Sequence, residues 1–152
     1  MTPRRLRWAS LGIALGAFAV SLYLAIAHLL DPELLVCAAT SAINCTKVTT
    51  SAQSVTMGVP VAYLGVIWSS AMVGLCLPVA WRSRAPWVGV GRLVLAVAGV
   101  AFVLWLIYAE LFLIRAICLW CTVVHVLTFA LFVVVVLAWI APPDASPSRE
   151  QR

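Results

Sequence analysis

The fold class predicted by the sequence is all-α and integral to a membrane: a bundle of four transmembrane helices, with an extracytoplasmic loop or short helix between the first and second spans. Three observations predict it. The chain is 64% hydrophobic with a mean hydropathy of +1.10. Only 10% of its 152 residues are charged, too few to solvate a water-soluble fold of that size. Several apolar runs exceed about 18 residues, enough to cross a hydrocarbon core about 30 Å thick.

The length suits one domain. The first span is expected over about 8–30, stopping at Asp31-Pro32. The second runs over about 60–81, with Pro60 in its first helical turn, where a missing N–H costs little. The third covers about 92–113 and the fourth about 117–140, ended by Pro142-Pro143. Residues 141–152 read as a short disordered tail. The runs are continuous rather than alternating, so strands are not expected. The Arg-rich start resembles a signal peptide, but the apolar run is too long and no small-residue cleavage site follows. Cys37 also lacks the small preceding residues of a lipid-attachment cysteine, since Val36 stands there.

Charge sets the orientation. Arg4, Arg5, Arg7, Arg82, Arg84, Arg92, Arg149 and Arg152 fall on the side of the two termini and the middle loop. Lys47 and Arg115 fall on the other. The bias makes both termini cytoplasmic, and the chain is expected to be a multi-pass protein of the cell's inner, or plasma, membrane. The net charge of +5 does not gather into an interleaved basic patch, so nucleic acid is not an expected partner and membrane lipid is.

The same topology places the chemistry. Cys37 and Cys45 form a C-x7-C pair in the outer loop, and Cys118 and Cys121 form a C-x-x-C at the outer end of the fourth span. A dithiol at a helix N-terminus is favoured as thiolate, the nucleophile of disulfide exchange. His125 lies one turn deeper on the same face. An apolar pocket beside such a dithiol suits a lipid-soluble acceptor, of which a quinone is the obvious one. No second tight cysteine pair points to a structural zinc site, so no metal is expected. Cys76, alone in the second span, reads as a small apolar residue.

The stretch CAATSAINCTKVTTSAQSVTMGVPVAYLGVIW, a third apolar span and then CLWC resemble the vitamin K epoxide reductase family in its bacterial form. Four features carry the resemblance in order: the C-x7-C, the hydroxyl cluster Thr49-Thr50-Ser51, Gly58-Val59-Pro60 with Gly65 behind it, and the C-x-x-C. It covers roughly residues 10–140. The resemblance implies a four-helix bundle holding a quinone near the extracytoplasmic face and reoxidising a thioredoxin-like partner. It implies that Cys37 exchanges with that partner, Cys45 relays to Cys118, and Cys121 faces the quinone, with Ser51 near it. His125 departs from the vertebrate enzymes, which carry a tyrosine there. The chain is read as lacking the fused thioredoxin-like domain of some bacterial homologues, so the partner is expected to be a separate protein. Epoxide reduction is not expected.

Other readings stand beside these. Cys37–Cys45 alone could be a static loop staple, and the whole chain a non-enzymatic four-span subunit with structural disulfides. Glu110 is either a quinone or proton contact or a residue that snorkels or pairs with Arg115. His28 and Arg115 are read as interfacial, and Trp68, Trp105 and Trp120 as packing or belt residues. Thr49 and Thr50 could cap a loop helix. An unrelated four-helix quinone-linked oxidase places its tight cysteine pair in the first outer loop, the reverse of the order here. The acceptor is of the menaquinone or ubiquinone class, with composition hinting at menaquinone.

Overall fold

A computed structural model describes residues 3–31, 35–37, 40, 43–83 and 85–140. The chain forms α1 (Pro3–Leu30), α2 (Cys45–Thr49), a 3₁₀ turn (Ala52–Ser54), and a hairpin of β1 (Val55–Thr56) and β2 (Val59–Pro60). It continues as α3 (Val61–Cys76), α4 (Pro78–Arg82), α5 (Pro86–Tyr108) with a π-helical turn (Ala109–Ile114), and α6 (Leu119–Ile140). The expected tail at 141–152 lies outside the described residues.

Three helices are long and apolar enough to cross a membrane: Arg4–Leu30, Pro86–Ile114 and Leu119–Ile140. Val61–Cys76 is apolar but shorter. Large apolar side chains such as Leu104, Phe112, Val126 and Val133 point outward, while the interior is built from small or compact residues such as Ala14, Ala17, Ala96 and Met72. That inversion fits helices that associate in lipid, where close packing rather than water exclusion holds them together. Helix α1 packs against α3 and α6, and α5 completes the bundle against the same two helices.

Small residues set the close approaches. Gly65 of α3 faces Ser21 of α1, where a Cβ would come within 3.1 Å of the hydroxyl. Gly99 of α5 receives the indole of Trp68, and a Cβ there would lie 2.5 Å from the ring. The same indole donates its Nε1–H to the Leu95 carbonyl at 2.9 Å, fixing α3 to α5.

The second expected span is broken. Helix α3 stops at Cys76, Leu77 turns extended (φ −57°, ψ 146°), and α4 resumes at Pro78. The residue before a proline is driven from the α region, and Pro78 has no N–H to continue the ladder. The carbonyl of Leu75 is taken up by Arg92, whose Nε and Nη2 donate at 3.0 and 2.7 Å.

Arg92, expected at the start of the third span, lies well inside a helix instead. It is 4% exposed within α5, with its guanidinium 3.4 Å from the centre of the Trp81 ring. The third helix begins at Pro86 instead, the first-turn position that proline favours. The first helix also starts earlier than expected, at Pro3, and the fourth starts at Leu119 rather than Ile117.

Two further expectations are corrected. Pro60 is not in the helix but pairs with Val55 in β2, and its ψ of 133° is extended. A short hairpin exists after all, because Met57 and Gly58 both adopt positive φ (54° and 80°), the geometry of a tight hairpin turn.

Gly99→Ala is expected to lower stability by about 1–3 kcal/mol, the usual cost of overpacking, because the methyl must displace the Trp68 ring. Thermal unfolding in detergent measures it. An unchanged midpoint would show that the α3–α5 contact relaxes freely.

Candidate functional site

The loop that carries the first cysteine pair is sewn to the start of α6. Ile43 and Ile117 form a parallel bridge, and the Asn44 N–H donates to the Ile117 carbonyl at 3.0 Å. Asn44 also caps α2, its Oδ1 accepting the Lys47 N–H at 2.9 Å. One residue thus starts the helix that begins at Cys45 and ties it to the segment leading into Cys118.

A second attachment holds the segment just before Cys37. The Val36 N–H donates to the Tyr23 hydroxyl at 3.1 Å, and the Trp120 Nε1–H donates to the Val36 carbonyl at 3.0 Å. Tyr23 and Trp120 meet edge to face, with centroids 5.0 Å apart. Trp120 is the third residue of Cys118-Leu119-Trp120-Cys121, so the tight motif itself grips the loop. The expected packing or belt role for Trp120 is too narrow.

The four cysteines share one region. Cys37 and Cys45 are joined in a disulfide, with Cα atoms 6.2 Å apart. Cys118 and Cys121 are thiols. Cys45 (1% exposed) and Cys118 (0% exposed) belong to one buried cluster with Leu24, Leu35 and Val48, and Cys37 and Cys121 pack against it.

Cys118 stands immediately before α6 and acts as its cap. Its Sγ accepts the Cys121 N–H at 3.3 Å, and its carbonyl accepts the Thr122 N–H at 2.9 Å. Hydrogen bonding from the Cys121 thiol, against the opposing effect of burial, holds the Cys118 thiol below its ordinary range. An N-terminal helix position favours thiolate in the same sense.

Below this pair lies a cavity of about 430 Å³, within the usual 300–1,000 Å³ of ligand sites. Helices α1, α3, α5 and α6 and the α2–hairpin segment wall it. Cys121, Val124, His125 and Thr128 line it from α6, at the spacing of one helix face. His125 is 5% exposed and Glu110, opposite on the π-helical turn, is 6% exposed. Glu110 therefore neither snorkels nor forms an ion pair with Arg115 among the described residues. Arg115 is exposed, and only its backbone N–H reaches Glu110, at the carbonyl.

Of the hydroxyl cluster, Thr49 and Ser51 line the cavity and Thr50 does not. The Ser51 hydroxyl donates to the Val48 carbonyl at 2.7 Å, which leaves its lone pairs as acceptors. Thr49 and Thr50 donate back to carbonyls of α2 at 3.0 and 2.8 Å; the N-cap is Asn44.

Other cavity residues were not expected. His28 lines it and meets Tyr63 edge-on at 6.0 Å, so it is more than an interfacial residue. Trp68 forms a wall as well as a packing contact. Ser21 and Thr128 also contribute; Thr128 was legible as the next residue on the Cys121–His125 face. Cys76 is fully buried in a separate cluster with Met72 and Leu131, away from the other sulfurs.

Removing the Trp120 indole N–H should loosen the loop. A hydrogen bond is worth about 0.5–1.5 kcal/mol net, so Trp120→Phe should speed hydrogen exchange of the Val36 amide by up to about tenfold. Unchanged protection at Val36 would show that the indole does not hold the loop.

A search of curated proteins found no match. The family model described as "Vitamin K epoxide reductase family" matches residues 8–136. That range takes in α3 and α5, most of α1 and α6, both cysteine pairs and the residues that line the cavity, and the chain belongs to the vitamin K epoxide reductase family, whose members are generally oxidoreductases.

Proposed function

We propose that this protein is a quinone-linked thiol–disulfide oxidoreductase that reoxidises a thioredoxin-like extracytoplasmic partner involved in disulfide formation. The partner is a separate protein. On this reading the chain crosses the inner (plasma) membrane four times, with both termini cytoplasmic and the cysteines outside. The arginine bias supports that orientation, since Arg7 and Arg92 flank Trp81 at the end of the bundle away from the cysteines.

The observation that carries the reading is the placement of two cysteine pairs in one cluster with Cys121 on the wall of an apolar cavity. Cys37 is the partly exposed sulfur of the loop pair and so the one a soluble dithiol meets. Attack there opens the Cys37–Cys45 disulfide and leaves both of its sulfurs reduced, while the partner becomes oxidised. The Cys45 thiolate then attacks Cys118 in the oxidised helix pair, forming Cys45–Cys118 and releasing Cys121 as thiolate. Cys37 attacks Cys45, the loop disulfide reforms, and Cys118 leaves with the electron pair. The helix dithiol now holds both electrons beside the cavity.

A menaquinone or ubiquinone, when bound, supplies an acceptor for two electrons and two protons. The apolar lining suits its ring, and Ser51, His125 and Glu110 offer the few polar atoms that would orient its oxygens.

The relay must pass through a disulfide between the pairs. Cys37→Ala or Cys121→Ala should accumulate Cys45–Cys118, because each removes one exit from that intermediate. Non-reducing peptide mapping that finds no inter-pair disulfide in either variant would exclude the relay.

The function itself is tested by supplying a reduced thioredoxin-like protein and a quinone, and following quinone absorbance. Wild-type protein should consume both. Cys37→Ala should lose oxidation of the partner but keep quinone reduction by a small membrane-permeant dithiol, and Cys121→Ala should lose both. No quinone reduction by wild-type protein from either donor would favour a structural subunit whose disulfides are static.

A further inference from the structure

We propose that Glu110 is the proton carrier of the helix dithiol, moving protons from the Cys118–Cys121 pair into the cavity as that pair is oxidised. The inference rests on the quinone-linked reading above and adds a step to it.

The first support is position. Glu110 sits on a π-helical turn at the end of α5, inside the same cavity as Cys121 and His125. Such turns widen the backbone spiral and concentrate at functional positions. Here Ala109 and Glu110 are both turned inward while Leu111, Phe112 and Leu113 face out. The Glu110 carbonyl then closes the helix, accepting the N–H groups of Arg115 and, at 3.2 Å, Ala116.

The second support is company. The Glu110 carboxyl lies near the Cys118 backbone and close enough to both helix thiols to act on them electrostatically. Among the described residues it forms no ion pair. The other titratable groups facing the cavity are His125 on α6 and His28 on α1; Lys47 on α2 is exposed and does not line it. A buried carboxyl in a membrane-embedded helix is costly, and one without a counter-charge has no evident structural purpose.

The third support is balance. Closing the Cys118–Cys121 disulfide releases two electrons and two protons. Both electrons go to the quinone, which takes up two protons in becoming the quinol. The carboxylate of Glu110 accepts a proton from a thiol, and its carboxyl O–H then gives that proton to an acceptor oxygen in the cavity. The regenerated carboxylate repeats the transfer for the second proton. Both thiol protons reach the quinol, and Glu110 ends as it began.

The test uses infrared difference spectra of the whole protein in lipid, poised between the dithiol and disulfide forms by a small dithiol couple, with no quinone present. A glutamate carboxylate band should shift with redox state, because the thiol proton donor that faces it in the dithiol form is absent from the disulfide, and that band should move when glutamate is carboxyl-labelled with ¹³C. It should vanish in Glu110→Gln, which separates Glu110 from Glu33 and Glu150. With quinone added, quinol formation by pre-reduced Glu110→Gln should fall about 10²-fold, the lower range for loss of a general acid–base group, and lose its pH dependence. Glu110→Asp should recover part of the rate. A wild-type spectrum with no label-sensitive, redox-linked carboxylate band overturns the proposal, whatever the variants do. So does Glu110→Gln with the wild-type rate and pH profile. Failure of wild-type protein to make quinol at all would instead overturn the quinone-linked function, a separate outcome.

Discussion

The arrangement of the cysteines depends on a few hydrogen bonds that hold a loop against the start of a helix. The Asn44 N–H to the Ile117 carbonyl and the Trp120 indole to the Val36 carbonyl bring a segment from before the hairpin onto the start of α6, up to 84 positions later, while the Tyr23 hydroxyl holds it to α1. Closing so long a connection costs chain entropy that no single contact recovers. Burial of Leu35, Cys45, Val48, Ala116 and Cys118 in one cluster supplies the rest. Without this docking, the two pairs would be separate features at the same end of the bundle.

The cavity follows from how the helices approach one another. Gly65 and Gly99 let α3 lie close to α1 and α5, and Trp68 spans the gap while bonding to Leu95. Several of the hydroxyls inside are satisfied by nearby backbone carbonyls, as with Thr49, Thr128 and Ser51. A site built this way is apolar to a ring and polar at a few points.

Much of this was legible in the sequence, for a physical reason in each case. Long apolar runs fixed the helices, since α1, α5 and α6 are where continuous hydropathy lies. The C-x-x-C, His125 and the cavity face follow from helical spacing. The break at Leu77 was available from Pro78 but was hidden by the surrounding hydropathy. Arg92 misled because a cation between apolar runs looks like the end of a span, whereas the Leu75 carbonyl and the Trp81 face hold it inside a helix that began at Pro86. The hairpin was missed because two-residue strands leave no alternation to read; only Gly58 hinted at it. The Val36 clamp joins residues distant in sequence through a backbone carbonyl, which no side-chain pattern reports.

Each pair presents one sealed sulfur and one partly open one: Cys45 and Cys118 are buried, Cys37 and Cys121 are not. In the proposed relay this asymmetry guards against short circuits. A stray thiol in solution meets Cys37, and a ligand in the cavity meets Cys121, but neither reaches the sulfurs between which the pairs exchange. Because exchange requires direct attack on a chosen sulfur, shielding the inner two confines traffic to a single track. Leakage of electrons to adventitious acceptors is then limited by burial rather than by reduction potential.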